Sequence, residues 1–549
     1  MHNKKYWISL LFFYLISATV TAQSKKGLSN ANQKQLTPKL VIGLVVDQMR
    51  WDYLYRFKDL YGKRGFERLL KNGYSCENTL IKHIPTFTAV GHTGIFSGSV
   101  PAIHGIIGNY WFDKKNNKLV YCTGDSTVSG VGSDNNNGKM SPRNLLADEI
   151  GDELRLSNNF QSKVIGIALK DRSAILSAGQ SANAAYWFDD KTGNFISSTY
   201  YMKNLPKWVE QFNNEKKPDR YKQQTWITKL SLDKYTLSSN DNVDFESHFP
   251  GEKTNIFPHH LNVDTVNKYE AFKTSPFGNT FTFDFAKSVI ENENLGKGNF
   301  TDFLAVSLSS TDNIGHLFGP NSVEIEDTYL RLDQDIASFI DYMDSILGRN
   351  NYLIMLSSDH GVAHNSGFLG SHQLNGSNFS IKELTMQLNN FIEDNYRIKE
   401  GIKRIENYQI YLSDTILNNN LGEVIVNEVI RKIESNTSIS SAFELKKLNQ
   451  TILPDNIKSV VSNSYCENRS GDIQIVPKPA YYNAGKKNST HGLWNPYDSH
   501  VPLIWFGWKI KSGKTYREVH LSDIAPTLSS FLNIQMPNGC VGMPIQELF

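Results

Sequence analysis

Cysteine is scarce. Four residues, Cys76, Cys122, Cys466 and Cys540, are spread over 549 positions. They are too few and too scattered for a structural zinc module, and leave open either disulfides or free buried thiols. Net charge is nearly absent as well: 57 basic and 55 acidic side chains leave +2. Nothing electrostatic therefore points to nucleic acid or an anionic membrane as a partner. Past the N-terminus no apolar run approaches the ~20 residues that cross a bilayer, so stable membrane insertion is not expected. Internal repeats and low-complexity tracts are missing too. What is present is a hydrophobic content of 40%, with 12% aromatics, which suits an ordinary globular enzyme and excludes a disordered chain. A single core usually stops growing near ~250–300 residues, so this length implies a large core with substantial insertions, or two domains.

The first residues have their own pattern. Lys4 and Lys5 precede an apolar run from Tyr6 to about Val20, and Val20-Thr21-Ala22 supplies small residues for cleavage. That is the layout of a secretory signal peptide; for the competing reading, a membrane anchor, the run is too short. Residues 1–22 are expected to be removed, the mature chain to begin near Gln23, and the protein to be periplasmic or secreted.

Beyond this, short apolar runs end abruptly in polar residues, as buried parallel strands do. Leu40–Val46 runs into Asp47, Lys163–Leu169 into Lys170, Phe303–Leu308 approaches Asp312, and Tyr352–Leu356 leads to Asp359 and His360. Val501–Phe506 is a further run of this kind. Amphipathic helical patterns fall between them, over Ala147–Leu156 and Glu324–Leu347. Strands alternating with helices predict an α/β fold with a mostly parallel central sheet flanked by helices. In such sheets the chemistry collects beyond the carboxyl ends of strands. Residues 190–290, rich in Tyr, Asn, Lys and Pro, break the rhythm and read as a cap over the sheet. Residues 370–480 read as a second insertion, with helical patterns over Ile381–Tyr396 and Leu421–Ile433.

Asp and His carry the strongest constellation. Asp312 and His316 are separated by three residues after a predicted strand, Asp359 and His360 are adjacent after another, Asp47 ends the first, and His491 sits in a polar loop. Carboxylate and imidazole together suit zinc or a similar first-row metal. Six such groups exceed one tetrahedral site and so suggest two ions. Singly, each has a plainer role, since a strand-ending Asp also caps turns and helices. Next, the segment from His83 to Gly94, with Thr86, Thr88 and Thr93, reads as a turn entering a helix. A hydroxyl at a helix start meets the positive end of the dipole, and metal coordination would make it a nucleophile; otherwise it is an ordinary cap. Lastly, on an extended Lys170-Asp171-Arg172 segment, residues two apart share a side. Lys170 and Arg172 would then converge on a doubly charged oxyanion, or form a solvated charge run.

At these residues the chain resembles the alkaline phosphatase superfamily, in its phosphodiesterase/nucleotide-pyrophosphatase-like branch, and within that the PafA-type alkaline phosphatases. The resemblance rests on VVDQMR, PTFTAVGHTG, HGIIGNYW, ALKDRSAIL, STDNIGH, SSDHG and STHG, in that order along essentially the whole mature chain. It implies two zinc ions, one held by Asp312, His316 and His491 and the other by Asp47, Asp359 and His360. Thr88 would be the nucleophile and a ligand of the second ion, and Asn109 would contact a phosphate oxygen. The implied reaction is in-line attack by Thr88, giving a phosphothreonine that water hydrolyses. Thr88 is chosen over Thr86 and Thr93 by the alignment, not by local spacing.

The resemblance also orders the substrates. Lys170 with Arg172 is the pair expected of monoesterases in this branch, which makes small phosphate monoesters, taken broadly by a monomer, the leading substrates. A phosphodiesterase or nucleotide pyrophosphatase is the alternative. No Cys/Ser-x-Pro-x-Arg stretch supports a sulfatase. A catalytically silent binding protein would lack a ligand or the nucleophile, and none is lacking.

Overall fold

Seven consecutive buried residues, Leu40–Val46, make the strand at the centre of the sheet. A run apolar at every position can be buried only if both faces of the strand are covered. The computed structural model describes residues 37–549 apart from 264–266 and 486. The expected signal peptide, residues 1–22, lies outside the described residues.

In chain order, the elements that build and flank the sheet are β1 (Leu40–Val46), β2 (Tyr74–Leu80), α1 (Thr88–Ser97), β3 (Val164–Ala168), α2 (Asp171–Ala178), β4 (Ala184–Asp189), β5 (Asn194–Ser198) and α3 (Phe277–Asn292). They continue with β6 (Asp302–Leu308), α4 (Ser310–Phe318), α5 (Val323–Ile346) and β7 (Tyr352–Ser357). An inserted region follows, with α6 (Ile381–Tyr396), β8 (Ile402–Glu406), β9 (Gln409–Leu412), α7 (Gly422–Glu434), β10 (Ile439–Glu444) and β11 (Ile473–Pro477). The chain then returns to the sheet through β12 (Leu503–Gly507), β13 (Gly513–His520) and α8 (Ile524–Leu532).

The central order is β2-β12-β7-β1-β6-β3-β4-β5. The four strands β7, β1, β6 and β3 run parallel, followed by β4 in the same direction. The sheet is thus the mostly parallel one expected, with helices on both faces. Alternate residues of β1 face opposite layers. Leu40, Ile42, Leu44 and Val46 pack with α3 and α5, whereas Val41 and Val45 pack with Ile95 and Phe96 of α1 and with α8.

Three features depart from the expectations. Most of the Val501–Phe506 run, from Leu503, forms β12, but antiparallel to β7, with Ser357 opposite Leu503. An apolar run buried on both faces looks the same in either direction. Residues 190–290 are not all outside the sheet: β5 is one of its strands, and α3 buries Phe281, Phe285 and Val289 against it. Their aromatic-rich composition hid a core helix. The third concerns Lys170-Asp171-Arg172, which is not extended, since α2 begins at Asp171. The second insertion has its own four-stranded sheet, β8-β9-β11-β10, and its own apolar core with Leu388, Val429 and Ile475. All four thiols are free.

Candidate active site

The register of the parallel strands brings the candidate residues together. Val46 of β1 lies opposite Leu308 of β6, and Val45 lies opposite Ser357 of β7. The carboxyl ends of these strands are therefore nearly level. Asp47 follows β1 directly, Asp359 and His360 follow β7, and Asp312 lies in the first turn of α4 after β6. Lys170 follows β3 and caps α2. His491 comes from none of these strands; it sits in the loop between β11 and β12.

Two sets of three ligand atoms result, each with its members within 4.8 Å of one another: Asp47, Asp359 and His360, and Asp312, His316 and His491. All three imidazoles are held the same way. His360 Nδ1 is 3.0 Å from the Gly361 carbonyl, His316 Nδ1 2.8 Å from that of Ser489, and His491 Nδ1 2.6 Å from that of Thr86. With Nδ1 donating to backbone, the lone pair of each ring falls on Nε2. Those Nε2 atoms face the carboxylates: His360 to Asp359 at 3.4 Å, and His316 and His491 to Asp312 at 3.2 and 3.6 Å. The His360 and His491 rings stack at 3.5 Å, joining the sets.

The electrostatics leave negative charge unanswered. Asp47, Asp312 and Asp359 are all buried. Burial, with the Asp359 carboxylate adding to it, pushes Asp47 well above the ordinary carboxylate range against the pull of Lys170. Burial acts the same way on Asp312, but His316 and Lys170 outweigh it and hold Asp312 well below that range. His360 is driven down to about 3 by burial and is neutral. Asp47 Oδ1 and Asp359 Oδ2 have no hydrogen-bond partner among the described residues. A buried acceptor without a donor is costly, and a cation held by Asp47, Asp359 and His360 would answer both; Asp312, His316 and His491 offer donors of the same kinds. The residues present therefore fit a pair of metal ions.

Thr88 opens α1, a helix buried along its whole length. The helix comes this close to the ligands because residue 91 is glycine: a Cβ there would fall 2.2 Å from the Asp359 carbonyl oxygen. Thr88 Oγ1 lies 3.5 Å from His360 Nε2. The other two hydroxyls of the segment are engaged elsewhere, Thr86 donating to the Leu493 carbonyl at 3.0 Å and Thr93 to that of Ala89 at 2.8 Å. Asn109 Oδ1 accepts from the Ala89 N–H at 3.0 Å, which sets its amide beside Thr88.

Lys170 and Arg172 reach the site from a helix start, not from an extended segment. Lys170 Nζ bridges the two clusters, 2.7 Å from Asp47 Oδ2 and 2.5 Å from Asp312 Oδ2. Arg172, inside the first turn of α2, donates to the Tyr121 hydroxyl at 3.4 Å, and that hydroxyl donates to Asp171 at 2.6 Å. Asp171, which an extended segment would turn away from Lys170 and Arg172, lines the same cavity as they do. The helix start accounts for the difference, since successive side chains turn by about 100° there instead of alternating. Lys170, Arg172, Trp187, Asp190 and Lys273 line a cavity of about 190 Å³ beside the clusters. A larger hollow of about 480 Å³, between Tyr55, Glu77 and Lys514, contains none of these residues.

Several contributors were not visible to sequence reasoning. His92, one turn after Thr88, bonds the Thr88 carbonyl at 2.8 Å and lies 3.2 Å from Asp359 Oδ2; its i+4 spacing was the available signal. Asp498 accepts from the N–H groups of Gly492 and Leu493, at 3.2 and 3.0 Å, and so holds the loop of His491. Tyr121 and Gln48 gave no signal.

Comparison with known proteins bears on the whole of this site. A family described as type I phosphodiesterase / nucleotide pyrophosphatase matches residues 41–501, a span containing every candidate residue from Asp47 to His491. A protein of Myroides odoratus named calcium-transporting ATPase is 48% identical, covering 94% of this chain and 96% of its own. Alkaline phosphatase PafA of Elizabethkingia meningoseptica is 47% identical, over 93% of this chain and 94% of its own. The crystal structure of wild-type alkaline phosphatase PafA shares the fold with a TM-score of 0.91 at 46% identity, over 93% of this chain and 99% of that one. A variant of that enzyme, with one Thr changed to Ser and an Asn, a Lys and an Arg changed to Ala, gives 0.90. Together with the shared architecture, these matches establish that the chain belongs to the type I phosphodiesterase / nucleotide pyrophosphatase family.

Proposed function

We propose that this protein is an exported alkaline phosphatase. It hydrolyses small phosphate monoesters through a phosphothreonine on Thr88, at a site for two zinc ions, and acts as a monomer. The observation that carries the reading is the pair of three-ligand clusters, bridged by Lys170, with Thr88 against His360. The chemistry that bound zinc would supply is a lowered hydroxyl pKa and charge stabilisation at the entering and leaving oxygens. One ion would be held by Asp47, Asp359 and His360, the other by Asp312, His316 and His491.

The chain's own residues supply the rest. Thr88 sits at the start of α1, where the helix dipole favours an incoming anion. Asn109, tied through its oxygen to Ala89, has its amide N–H groups left for a non-bridging phosphate oxygen. Arg172 Nε has no partner among the described residues and offers its fork to the remaining oxygens, while Lys170 adds positive charge between the clusters. In-line displacement puts the phosphoryl group on the Thr88 oxygen and releases the alcohol. Water then cleaves the phosphothreonine and frees inorganic phosphate. The four residue types replaced in the PafA variant match, in chain order, Thr88, Asn109, Lys170 and Arg172.

Steady-state rates on an aryl phosphate monoester and the matched aryl diester, each with and without a chelator, test the reading. We expect the monoester to be turned over far faster, and both activities to vanish on chelation. A diester preference would favour the other reading, a phosphodiesterase or nucleotide pyrophosphatase, which the family description supports. Acid quenching during turnover should trap phosphate on Thr88; its absence from Thr88 would move the nucleophile elsewhere.

A further inference from the structure

We propose that Gln48 is a positioning residue that aims the Asp312 carboxylate into its cluster, and that position 315 is glycine so that the Gln48 amide can reach it. The proposal rests on the reading of the two clusters as metal sites. Gln48 directly follows Asp47 and is buried. Its backbone N–H lies 3.2 Å from Asp359 Oδ1, and its side-chain Nε2 lies 2.7 Å from Asp312 Oδ1. One residue thus touches an acid of each cluster, by main chain in one and by side chain in the other.

The oxygen it holds is the one that matters. Asp312 Oδ1 faces His316 and His491 at 3.2 and 3.6 Å, while Oδ2 is taken by Lys170. Fixing Oδ1 with a neutral amide sets its direction without adding a charge that would compete with a cation. Two further features are hard to explain if Gln48 only fills space. Its φ is +68°, a left-handed conformation uncommon outside glycine and worth keeping only where the surroundings demand it. Gly315, in the middle of α4, weakens that helix relative to alanine. Yet a Cβ there would fall 1.9 Å from Gln48 Oε1. The glycine makes room for one end of the amide, and the other end then meets Asp312.

The test is a zinc titration of each metal-stripped variant against a chromophoric chelator, which reads affinity without turnover. In Gln48→Met, of similar length but without the amide, one of the two zinc affinities should fall about 10- to 100-fold, as is typical when a partner of a metal ligand is lost. It should be the affinity that His316→Ala also removes, with the other nearly unchanged. Gly315→Ala should reproduce that loss. Gln48→Gly with Gly315→Ala should bind zinc no more weakly than Gln48→Gly alone, because the methyl enters the space the amide has left; Gln48→Gly also relieves the backbone, so folding is preserved. Unchanged zinc affinity in Gln48→Met, equal loss at both sites, or additive losses in the double variant would overturn the proposal. A wild-type chain that takes up no zinc would overturn the metal reading beneath it before any variant is compared.

Discussion

Asp47, Asp359 and His360 come from the ends of two adjacent strands, and their side chains are fully buried. Asp312 and His316 come from a helix and His491 from a loop, and His316 keeps 36% of its side chain exposed. The first set is placed by the hydrogen-bond ladder between β1 and β7, which cannot shift without breaking the core. The second depends on contacts to loop backbone: Ser489 for His316, Thr86 for His491, and Asp498 for the peptide groups after His491. Similar ligand chemistry is thus held rigidly on one side and by a removable clasp on the other. Elements of low local stability are where proteins open first, so the two clusters should differ in how they lose metal and in how they tolerate substitution.

The largest effect should come from the rigid side. His360→Ala removes a proposed metal ligand, the contact to Thr88 and the stack on His491. We expect kcat/KM to drop by ~10³-fold or more, ~4 kcal/mol of transition-state stabilisation, with no recovery at high zinc. The same assay on His316→Ala should show a smaller loss that added zinc partly restores, because that ligand is half-open to solvent and water can take its place. If His316→Ala were the more damaging and the less rescuable, the contrast between the two sides would be wrong.

Metal release sharpens the contrast without mutation. Mixed with excess chelator, the zinc enzyme should lose its metal in two phases, the faster belonging to the Asp312, His316 and His491 side. A single phase would mean that the stacked His360 and His491 rings tie the two sites into one unit. Asp498→Asn should then accelerate the fast phase alone, by ~10-fold, since it weakens the acceptor that organises the loop. Burial raises the Asp498 carboxyl to about 8, and the N–H groups of Leu493 and Gly492 oppose that rise.

The same division explains what could be read before folding. Asp47, Asp359 and His360 stood at the ends of apolar runs, where an α/β sheet puts its chemistry, so the pattern of hydrophobicity located them. Asp312 and His316 shared that signal through β6 and through helical spacing. His491 lies in a loop without periodicity; residue type alone put it among the six candidates, and only family resemblance assigned it to a cluster. Gln48 and Gly315 were illegible because their relation is a contact between segments far apart in the chain, made by a left-handed residue whose conformation no local pattern announced. The conformation of Lys170-Asp171-Arg172 was misjudged because a strand and a helix N-terminus differ by one residue of boundary, and that residue decides where Asp171 points.

The smallest effect on turnover, and one confined to stability, should come from the segment packed against the far end of α4. His259 lies among Trp226, Phe249, Phe257 and Phe318, with Glu252 at 2.9 Å from Nδ1 and Glu324 at 3.2 Å from Nε2. Burial opposes its charge, but the two carboxylates prevail and raise it to about 9. Near it, burial and the Glu324 carboxylate raise Glu246 to about 10, and burial also raises Glu324 and Asp241. A group whose folded pKa is raised stabilises the fold fully below its unfolded pKa and loses that contribution as pH climbs through the folded value. His259 should therefore contribute up to ~3 kcal/mol below pH ~6.5, falling away towards pH 9; Glu246 has the same sign over a wider range. With zinc saturating, thermal unfolding of wild type and His259→Gln between pH 6 and 10 should show a gap that narrows as pH rises, because wild type is then losing the same charge that the variant never had. A gap that stays constant or widens would mean that His259 is held neutral, and that the aromatic cage, not the ion pairs, anchors this segment to the helix carrying Asp312 and His316.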